Sequence, residues 1–235
     1  MISRRSLFLV PLAVLAGGCG ERRDPTREDE TAFTHTRVDA VAVVVLDLSG
    51  SFEQLLIGRD NRAFVFLGKL IQEFFYQGIG REQRLVIAQI SGTDKALLFE
   101  GSIQDFSERF PDPDSFRDHL KRVGNSAGSR VYDSVSDALS YTLGLPVVEK
   151  GHTKVGLFVL SDWDDNIHTA QSFPQLESKL KTLGTDYRGA VGFYYVEQSL
   201  YPGIVSLVQR CGFPRERGVV TSEITANPPI PTLLK

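Results

Sequence analysis

Three short polar segments carry side chains that could together bind a metal ion. Asp47-Leu-Ser-Gly-Ser51 presents one carboxylate and two hydroxyls at alternating positions, and Gly50 allows the segment to turn back on itself. Ser161-Asp-Trp-Asp-Asp165 is acidic, and Gly128-Ser-Arg-Val-Tyr-Asp133 supplies a further hydroxyl from Ser129. Oxygen ligands of this kind suit a hard divalent cation. The residue types therefore predict a cation site, provided that the three segments meet in the fold.

The hydrophobic pattern around these segments predicts strands that alternate with helices. Val38 to Leu46 is almost entirely β-branched and aliphatic, interrupted only by Asp39, as expected of a central parallel strand buried on both faces. Residues 62–77 instead repeat their apolar side chains with helical spacing. The same criteria give strands at 84–91, 96–103, 155–160 and 189–196, and helices at 115–123, 131–143, 175–183 and 200–211. This alternation predicts an α/β fold: a doubly wound, mostly parallel sheet with helices on both faces and a hairpin at one edge.

The predicted fold places the polar segments at one edge of the sheet. In open α/β sheets, ligands bind outside the carboxyl ends of the strands. Asp47 directly follows the first strand, and Asp162 follows the strand at 155–160. Ser129 precedes the helix at 131–143. We therefore expect these three residues to lie close together.

The three segments resemble, in the same order, those of the von Willebrand factor A-like domain. Asp47, Ser49 and Ser51 match the family's Asp-x-Ser-x-Ser signature, which follows a hydrophobic strand. Ser129 before Val-Tyr-Asp-Ser-Val resembles the family's threonine loop. Asp162 in Leu-Ser-Asp-Trp-Asp-Asp-Asn resembles its Leu-Thr-Asp-Gly-Glu-Asp-Asn segment. Agreement of three loops is much more specific than a lone signature.

The resemblance implies a metal-ion-dependent adhesion site (MIDAS) that holds Mg²⁺ or Mn²⁺. Its ligands would be the hydroxyls of Ser49, Ser51 and Ser129 together with Asp47 and Asp162, partly through water. Two carboxylates roughly neutralise a divalent cation and leave a coordination position for an incoming oxygen, typically from an acidic side chain of a partner protein. The implied function is metal-dependent protein binding, with no catalytic residues.

Two residues depart from the family pattern. Ser129 replaces the usual threonine, which keeps the hydroxyl but removes the methyl group that restricts its rotamer. Trp163, the only tryptophan, replaces the usual glycine after Asp162. It is expected either to pack beneath the loop or to stand on the rim of the site as an anchor for a partner, and the rim is our prediction. Asp164 and Asp165 could form an accessory cation site, although acidic residues that open a loop before a helix are commoner.

The amino terminus resembles a bacterial lipoprotein signal peptide. Two arginines precede an apolar run at residues 7–18, which is too short to span a bilayer. Leu15-Ala-Gly-Gly-Cys19 resembles the lipobox, in which the cysteine is lipidated. We therefore predict that residues 1–18 are removed and that a lipid on Cys19 holds the protein in the bacterial cell envelope after export by Sec or Tat.

The remaining composition fits one exported domain. With 42% hydrophobic and 23% charged residues, the 235-residue chain is expected to be globular, with a charged tether at 19–37, the domain at 38–222 and a Pro-rich tail at 223–235. A net charge of -3, or -5 once the signal peptide is lost, argues against a nucleic-acid partner. Cys211 would have no partner if Cys19 is lipidated, and the alternative is a disulfide between the two.

An exported hydrolase is the competing interpretation. Gly124-Asn-Ser-Ala-Gly128 fits Gly-x-Ser-x-Gly, with Ser126 as nucleophile and His152 or His168 as base. A nucleophile elbow must follow a buried strand, however, and the preceding segment is charged and helical. A metal-dependent phosphatase would use the acidic residues of the two acidic segments, but the Asp-x-Asp nucleophile is missing after the first strand.

Overall fold

The computed structural model describes residues 37–78, 80–90, 96–124, 128–166 and 168–233, apart from the side chain of Ser51. These residues form one six-stranded sheet and seven helices. The strands are β1 (Ala40–Asp47), β2 (Gln83–Ile90), β3 (Leu97–Gly101), β4 (Lys154–Leu160), β5 (Ala190–Tyr194) and β6 (Gly218–Thr221). The helices are α1 (Gly50–Leu56), α2 (Arg62–Gln77), α3 (Ile103–Arg109), α4 (Pro113–Val123), α5 (Val131–Leu143), α6 (Ser172–Asp186) and α7 (Tyr201–Arg210).

The sheet has the strand order β3-β2-β1-β4-β5-β6 and is parallel except at β3. Strand β1 lies between β2 and β4, and all eight of its residues are buried, which explains why it is apolar on both faces. Strand β3 pairs antiparallel with β2 at the edge, as the hairpin prediction required; residues 91–95 of the connection lie outside the described residues. The predicted doubly wound α/β fold is confirmed.

Helices cover both faces of the sheet because successive β1 side chains point in opposite directions. Val44 and Leu46 join one hydrophobic core with the apolar sides of α1, α2, α3 and α4. Val43 and Val45 join a second core with α5, α6 and α7. Each fully buried aliphatic side chain of this kind contributes about 1.5–3 kcal/mol by removal from water. The two cores together hold β1, and therefore the loop that follows it, in place.

Helix α5 positions the segment that precedes it. Val131, Val135 and Leu139 recur every four residues and are fully buried against the sheet, which explains why this segment is helical in context. The helix ends at Leu143, before Gly144. Its bounds are those predicted from the sequence. Because the first residue of the helix is buried, the preceding Ser129 is held close to the sheet edge.

Three short elements were not predicted: α1, α3 and β6. Helices α1 and α3 have only seven residues each, about two turns, and β6 has four residues, all half-buried. Helix α3 begins with a capping box in which Ser102 and Asp105 each accept a backbone N–H bond from the other. Elements this short contain too few residues to show a hydrophobic period.

The carboxyl-terminal segment packs against the domain. Leu233 is buried in the same core as α2. The hydroxyl of Tyr195 donates to the carbonyl of Thr225 at 2.9 Å, and Arg62 Nη1 donates to the carbonyl of Ile224 at 2.9 Å. Pro228 and Pro231 are also buried, whereas Ile224 is 51% exposed. Part of the segment predicted as a tail is therefore packed on the domain.

The predictions for the amino terminus lie outside the described residues, including the signal peptide, Cys19 and the tether up to residue 36. Within the ranges that the structure describes, no helix combines the length and the apolar character needed to cross a membrane. Cys211 is buried and forms no disulfide with another described residue.

Candidate functional site

The loops after β1 and β4 meet at the carboxyl edge of the sheet. The two strands are parallel neighbours, paired up to Leu46 and Leu160. Asp47 is the last residue of β1 and Ser161 directly follows β4, so the two residues lie at the ends of adjacent strands, whose backbones run about 5 Å apart. The Ser161 hydroxyl donates to Asp47 Oδ2 at 2.6 Å, so the two loops are joined directly.

Asp47 is a fully buried carboxylate at the centre of this arrangement. Its Oδ1 accepts the backbone N–H of Ser49 at 2.9 Å, and its Oδ2 accepts the Ser161 hydroxyl. Burial raises the pKa of Asp47, the hydrogen bonds from Ser161 and Ser49 act to lower it, and the charge of nearby Asp162 raises it further. No basic side chain of the described residues is among these influences. A buried carboxylate is unfavourable without a positive partner, so this site suits a cation.

Ser49 and Ser51 lie where β1 passes into α1. Ser49 is the extended residue before the helix, is 7% exposed and bonds to Asp47 through its side chain. Gly50 is the first residue of α1 and does not have a positive φ, so the segment passes directly into a helix there. Ser51 is the second residue of that helix, and its side chain lies outside the described part of the structure.

Ser129 contributes a buried hydroxyl with an unused hydrogen-bonding capacity. The residue is 3% exposed, and its Oγ has no hydrogen-bond partner among the described residues. Its backbone N–H donates to Asn166 Oδ1 at 3.0 Å, which ties it to the loop after β4. An unsatisfied buried hydroxyl typically costs about 1–3 kcal/mol. A metal ligand position would remove that penalty, so Ser129 fits the cation site implied by its family resemblance.

Asp162 supplies the second carboxylate. It is half-buried, and its charge acts on Asp47, so the two acids lie close together. Its Oδ1 accepts the backbone N–H of Asp164 at 3.1 Å, which stabilises the turn of the loop. The structure therefore brings Asp47, Ser49 and Asp162 together, and Asn166 links Ser129 to the same loop.

Ser161, Asp165 and Asn166 position the site and were not assigned to it from the sequence. Ser161 is fully buried between Asp47 and the N–H of Trp163, which it accepts at 2.8 Å. Asp165 Oδ2 accepts the N–H of Tyr132, in the first turn of α5, at 2.9 Å. A carboxylate at this helix end is favourable because the first N–H groups are unpaired within the helix and carry partial positive charge. Asp165 therefore supports the start of α5, a helix that precedes it in the chain, whereas Asp164 is exposed.

The prediction that Trp163 forms an exposed rim is wrong. Its side chain is fully buried in the second core, with ring centroids 4.7 Å from Phe193 and 6.2 Å from Tyr132. Its φ is 66°, in the left-handed region that glycine adopts most readily, which agrees with the glycine usual at this position. Burial of the large indole outweighs that backbone preference. Trp163 therefore holds the loop from beneath.

The two histidines considered as the base of a serine hydrolase do not lie together. His152 lies before β4, at the opposite edge of the sheet from Asp162, and its ring is 3.9 Å from the carboxylate of Glu149. His168 lies at the correct edge, but its Nδ1 is 2.8 Å from the backbone carbonyl of Asp165. Ser126 lies outside the described residues.

The donor set is dominated by hydroxyls. Among the residues that the structure describes, no cluster of three or more His, Cys, Asp or Glu side chains could hold a metal ion. The arrangement of Asp47, Asp162 and serine hydroxyls is a different donor set, with two carboxylates and neutral oxygens. Such ligands favour Mg²⁺ or Mn²⁺ over softer metals.

Comparison with known proteins shows similarity at the level of fold. No family model and no curated protein matches the chain. The pilus adhesin SpaC from Lactobacillus rhamnosus GG has 13% sequence identity and a TM-score of 0.52 over 81% of this chain and 29% of SpaC. Proximal thread matrix protein 1 from the mussel byssus, with a zinc-occupied MIDAS motif, has 12% identity and a TM-score of 0.46 over 80% of this chain and 45% of that protein. The mostly parallel sheet with helices on both faces, which is similar to the fold of SpaC, is an α/β fold of the von Willebrand factor A/Rossmann-like kind. The chain spans less than half of the length of either protein.

Proposed function

We propose that this protein is a divalent-metal-dependent protein-binding module, tethered to the bacterial cell envelope, that captures an acidic group of a partner. The observation that carries this proposal is Asp47: a fully buried carboxylate, bonded by two serines, at the meeting point of two loops and without a basic partner among the described residues. The buried hydroxyl of Ser129 supports the same conclusion.

The metal would be Mg²⁺ or Mn²⁺, held by Asp47, Ser49, Ser51, Ser129 and Asp162, partly through water. When bound, the cation supplies a coordination position that a carboxylate oxygen of the partner can occupy. The chain's own residues keep the ligands in place: Ser161 orients Asp47, and Asn166 holds the backbone of Ser129. Preorganisation of this kind increases affinity because less conformational freedom is lost on binding.

Binding explains the described geometry better than catalysis does. The groups that hydrogen-bond to Asp47 are serine hydroxyls and a backbone N–H, which orient its carboxylate but are poor proton acceptors. His168 is the histidine nearest in sequence to Asp162, and its ring contacts the backbone carbonyl of Asp165. A hydrolase, dependent on Ser126 or on the acidic loops, is the alternative. Ester hydrolysis that Ser126→Ala abolishes and that persists in chelator would support a serine hydrolase instead.

Metal binding is expected to raise the melting temperature of the full chain. An ion that binds only the folded state stabilises it by about 2.7 kcal/mol when its concentration is 100 times its Kd. Asp162→Ala should abolish this rise, whereas Asp164→Ala, which removes an exposed neighbouring carboxylate, should retain it. The measurement is thermal unfolding in millimolar Mg²⁺, in Mn²⁺ and in chelator. Identical melting temperatures for the wild type in all three would contradict the proposal.

The envelope anchor is expected to depend on Cys19. In the lipoprotein interpretation, Cys19→Ser removes the thiol that is lipidated, so the product should remain unprocessed or lose its membrane association. Cys211→Ser, which changes the other cysteine, should leave both unchanged. Mass spectrometry of the amino terminus and membrane fractionation provide the measurement. A wild-type protein without an acyl group would contradict the anchor.

A further inference from the structure

A second polar cleft lies at the same edge of the sheet as the metal site. It has a volume of about 420 Å³ and is bounded by the end of β2, the start of β3 and the last turns of α3 and α4. Its charged lining is basic: Arg109 ends α3, and His119 and Arg122 lie on α4. No acidic side chain is among the residues that line it within the described ranges.

The basic groups of this cleft are not neutralised by the described residues. Arg109 and Arg122 are exposed, and neither forms an ion pair with a described acid. Arg109 lies over the ring of Phe110 at 5.4 Å, and Arg122 Nε donates to the carbonyl of Asp118 at 3.3 Å. Most of their hydrogen-bonding capacity is therefore available to a ligand.

His119 adds a third polar side chain to the lining of the cleft. Its Nε2 is buried and forms no hydrogen bond within the described part of the chain. Burial lowers the pKa of His119, and the charges of Arg109 and Arg122 lower it further, so the three groups lie close enough to interact. An anion in the cleft would offset the repulsion between the two guanidinium groups.

The cleft adjoins the proposed metal site through α4. Gly124, directly after this helix, lies against Leu48: a Cβ at Gly124 would be 3.6 Å from the Leu48 side chain. Leu48 is the residue next to Asp47. Strand β2, at the floor of the cleft, pairs directly with β1, and β3 is one strand further away. At normal strand spacing, the cleft is on the order of 10 Å from Asp47.

We propose that Arg109, His119 and Arg122 form an anion-binding subsite that takes a second carboxylate from the same acidic protein segment whose first carboxylate binds the metal. This inference rests on the proposed function for the first contact, but the cleft and its charges are independent of the metal. Guanidinium groups pair well with carboxylates because their N–H groups match both oxygens. An extended segment advances about 3.3 Å per residue, so its two acidic residues would be about three positions apart.

The test uses fluorescently labelled decaglutamate as a probe and the full chain as the protein. In Mg²⁺, the double variant Arg109→Gln/Arg122→Gln should bind the probe about tenfold or more weakly than the wild type, by loss of two charge-assisted contacts. The matched control is Arg59→Gln/Arg215→Gln, which removes the same net charge from two exposed arginines outside the cleft. The control should change binding less than twofold. Fluorescence anisotropy gives the Kd values.

Two further measurements separate this subsite from the metal site. Thermal unfolding should show the same Mg²⁺-dependent rise in both double variants as in the wild type, since none of the four arginines is a proposed ligand. In chelator, the wild type should still bind decaglutamate, more weakly than in Mg²⁺, and the cleft variant should lose that residual binding. Mg²⁺ could leave both the melting temperature and the probe affinity of the wild type unchanged, while the wild type still binds the probe more tightly than the cleft variant in chelator. In that case the proposed metal function fails and the subsite stands.

Other results would overturn the subsite. Equal losses in the two double variants would assign probe binding to overall charge. Unchanged binding by the cleft variant would exclude the cleft as an anion site. A labelled dT10 oligonucleotide that binds as tightly as decaglutamate, with the same loss in the cleft variant, would rule against an acidic protein segment as its occupant.

Discussion

Trp163→Ala is expected to destabilise the domain by about 3–5 kcal/mol, the range for removal of a large buried aromatic side chain. The indole is fully buried and packs on Phe193 and Tyr132, so its loss leaves a cavity beneath the loop that carries Asp162. The measurement is urea unfolding followed by circular dichroism, because the substitution removes the only tryptophan fluorophore. A loss below about 1 kcal/mol, as for exposed residues, would contradict this packing role.

Trp163→Gly is the informative companion variant. Both substitutions remove the indole, but glycine also relieves the positive φ of 66° at this position. A left-handed conformation costs a residue with a Cβ roughly 1–2 kcal/mol, partly offset by the greater backbone entropy of glycine in the unfolded chain. The glycine variant should therefore be the more stable of the two. The reverse order would mean that backbone strain at Trp163 does not contribute.

Asp47→Asn is expected to reverse its effect on stability when metal is added. In chelator, the variant should be as stable as the wild type or more stable, because it removes a buried carboxylate charge that burial makes unfavourable, as the raised pKa of Asp47 indicates. The asparagine amide also retains an oxygen and a nitrogen atom that can form hydrogen bonds. In saturating Mg²⁺, the wild type gains about 2.7 kcal/mol at 100 times Kd, and the variant should gain almost nothing. Urea unfolding in chelator and in Mg²⁺ measures this change in the order of stability of the two proteins.

The control for this change in the order of stability is Ser161→Ala, which removes a hydrogen bond to Asp47 but no proposed metal ligand. It should destabilise the domain in both conditions, by about 0.5–1.5 kcal/mol or more, and retain a metal-dependent gain. If Asp47→Asn is strongly destabilising in chelator, the carboxylate has a structural role in the folded domain. If the variant also keeps the full gain in Mg²⁺, Asp47 is not a ligand.

Much of the fold could be predicted because its largest elements carry a clear hydrophobic pattern. Strand β1 is buried on both faces and therefore contains only apolar residues before Asp47. Helix α5 alternates buried and exposed residues with a helical period, and its bounds agree with the prediction. The short elements α1, α3 and β6 could not be predicted, since their packing partners rather than a pattern of their own stabilise them.

The juxtaposition of Asp47 and Asp162 could be predicted for a topological reason. Each follows a buried parallel strand, and the carboxyl ends of parallel strands meet at one edge. The contributions of Ser161 and Asn166 could not be predicted, because a polar loop residue can face the solvent or a neighbour equally well. Only the structure shows that Ser161 bonds to Asp47 and that Asn166 bonds to the backbone of Ser129.

By itself, the sequence determined the α/β alternation, the central position of β1 and the edge at which Asp47 and Asp162 lie. Tertiary structure alone decided which way each loop side chain faces and which distant residues become neighbours. Trp163 is buried because the space between Phe193 and Tyr132 accepts the indole, and no local pattern encodes that space. Arg109 and Arg122 come from different helices and line the same cleft only because α3 and α4 pack together beside β2 and β3. Hydrophobic periodicity shows which side of an element is buried. The direction in which an individual polar or aromatic side chain points depends on how all the elements pack together.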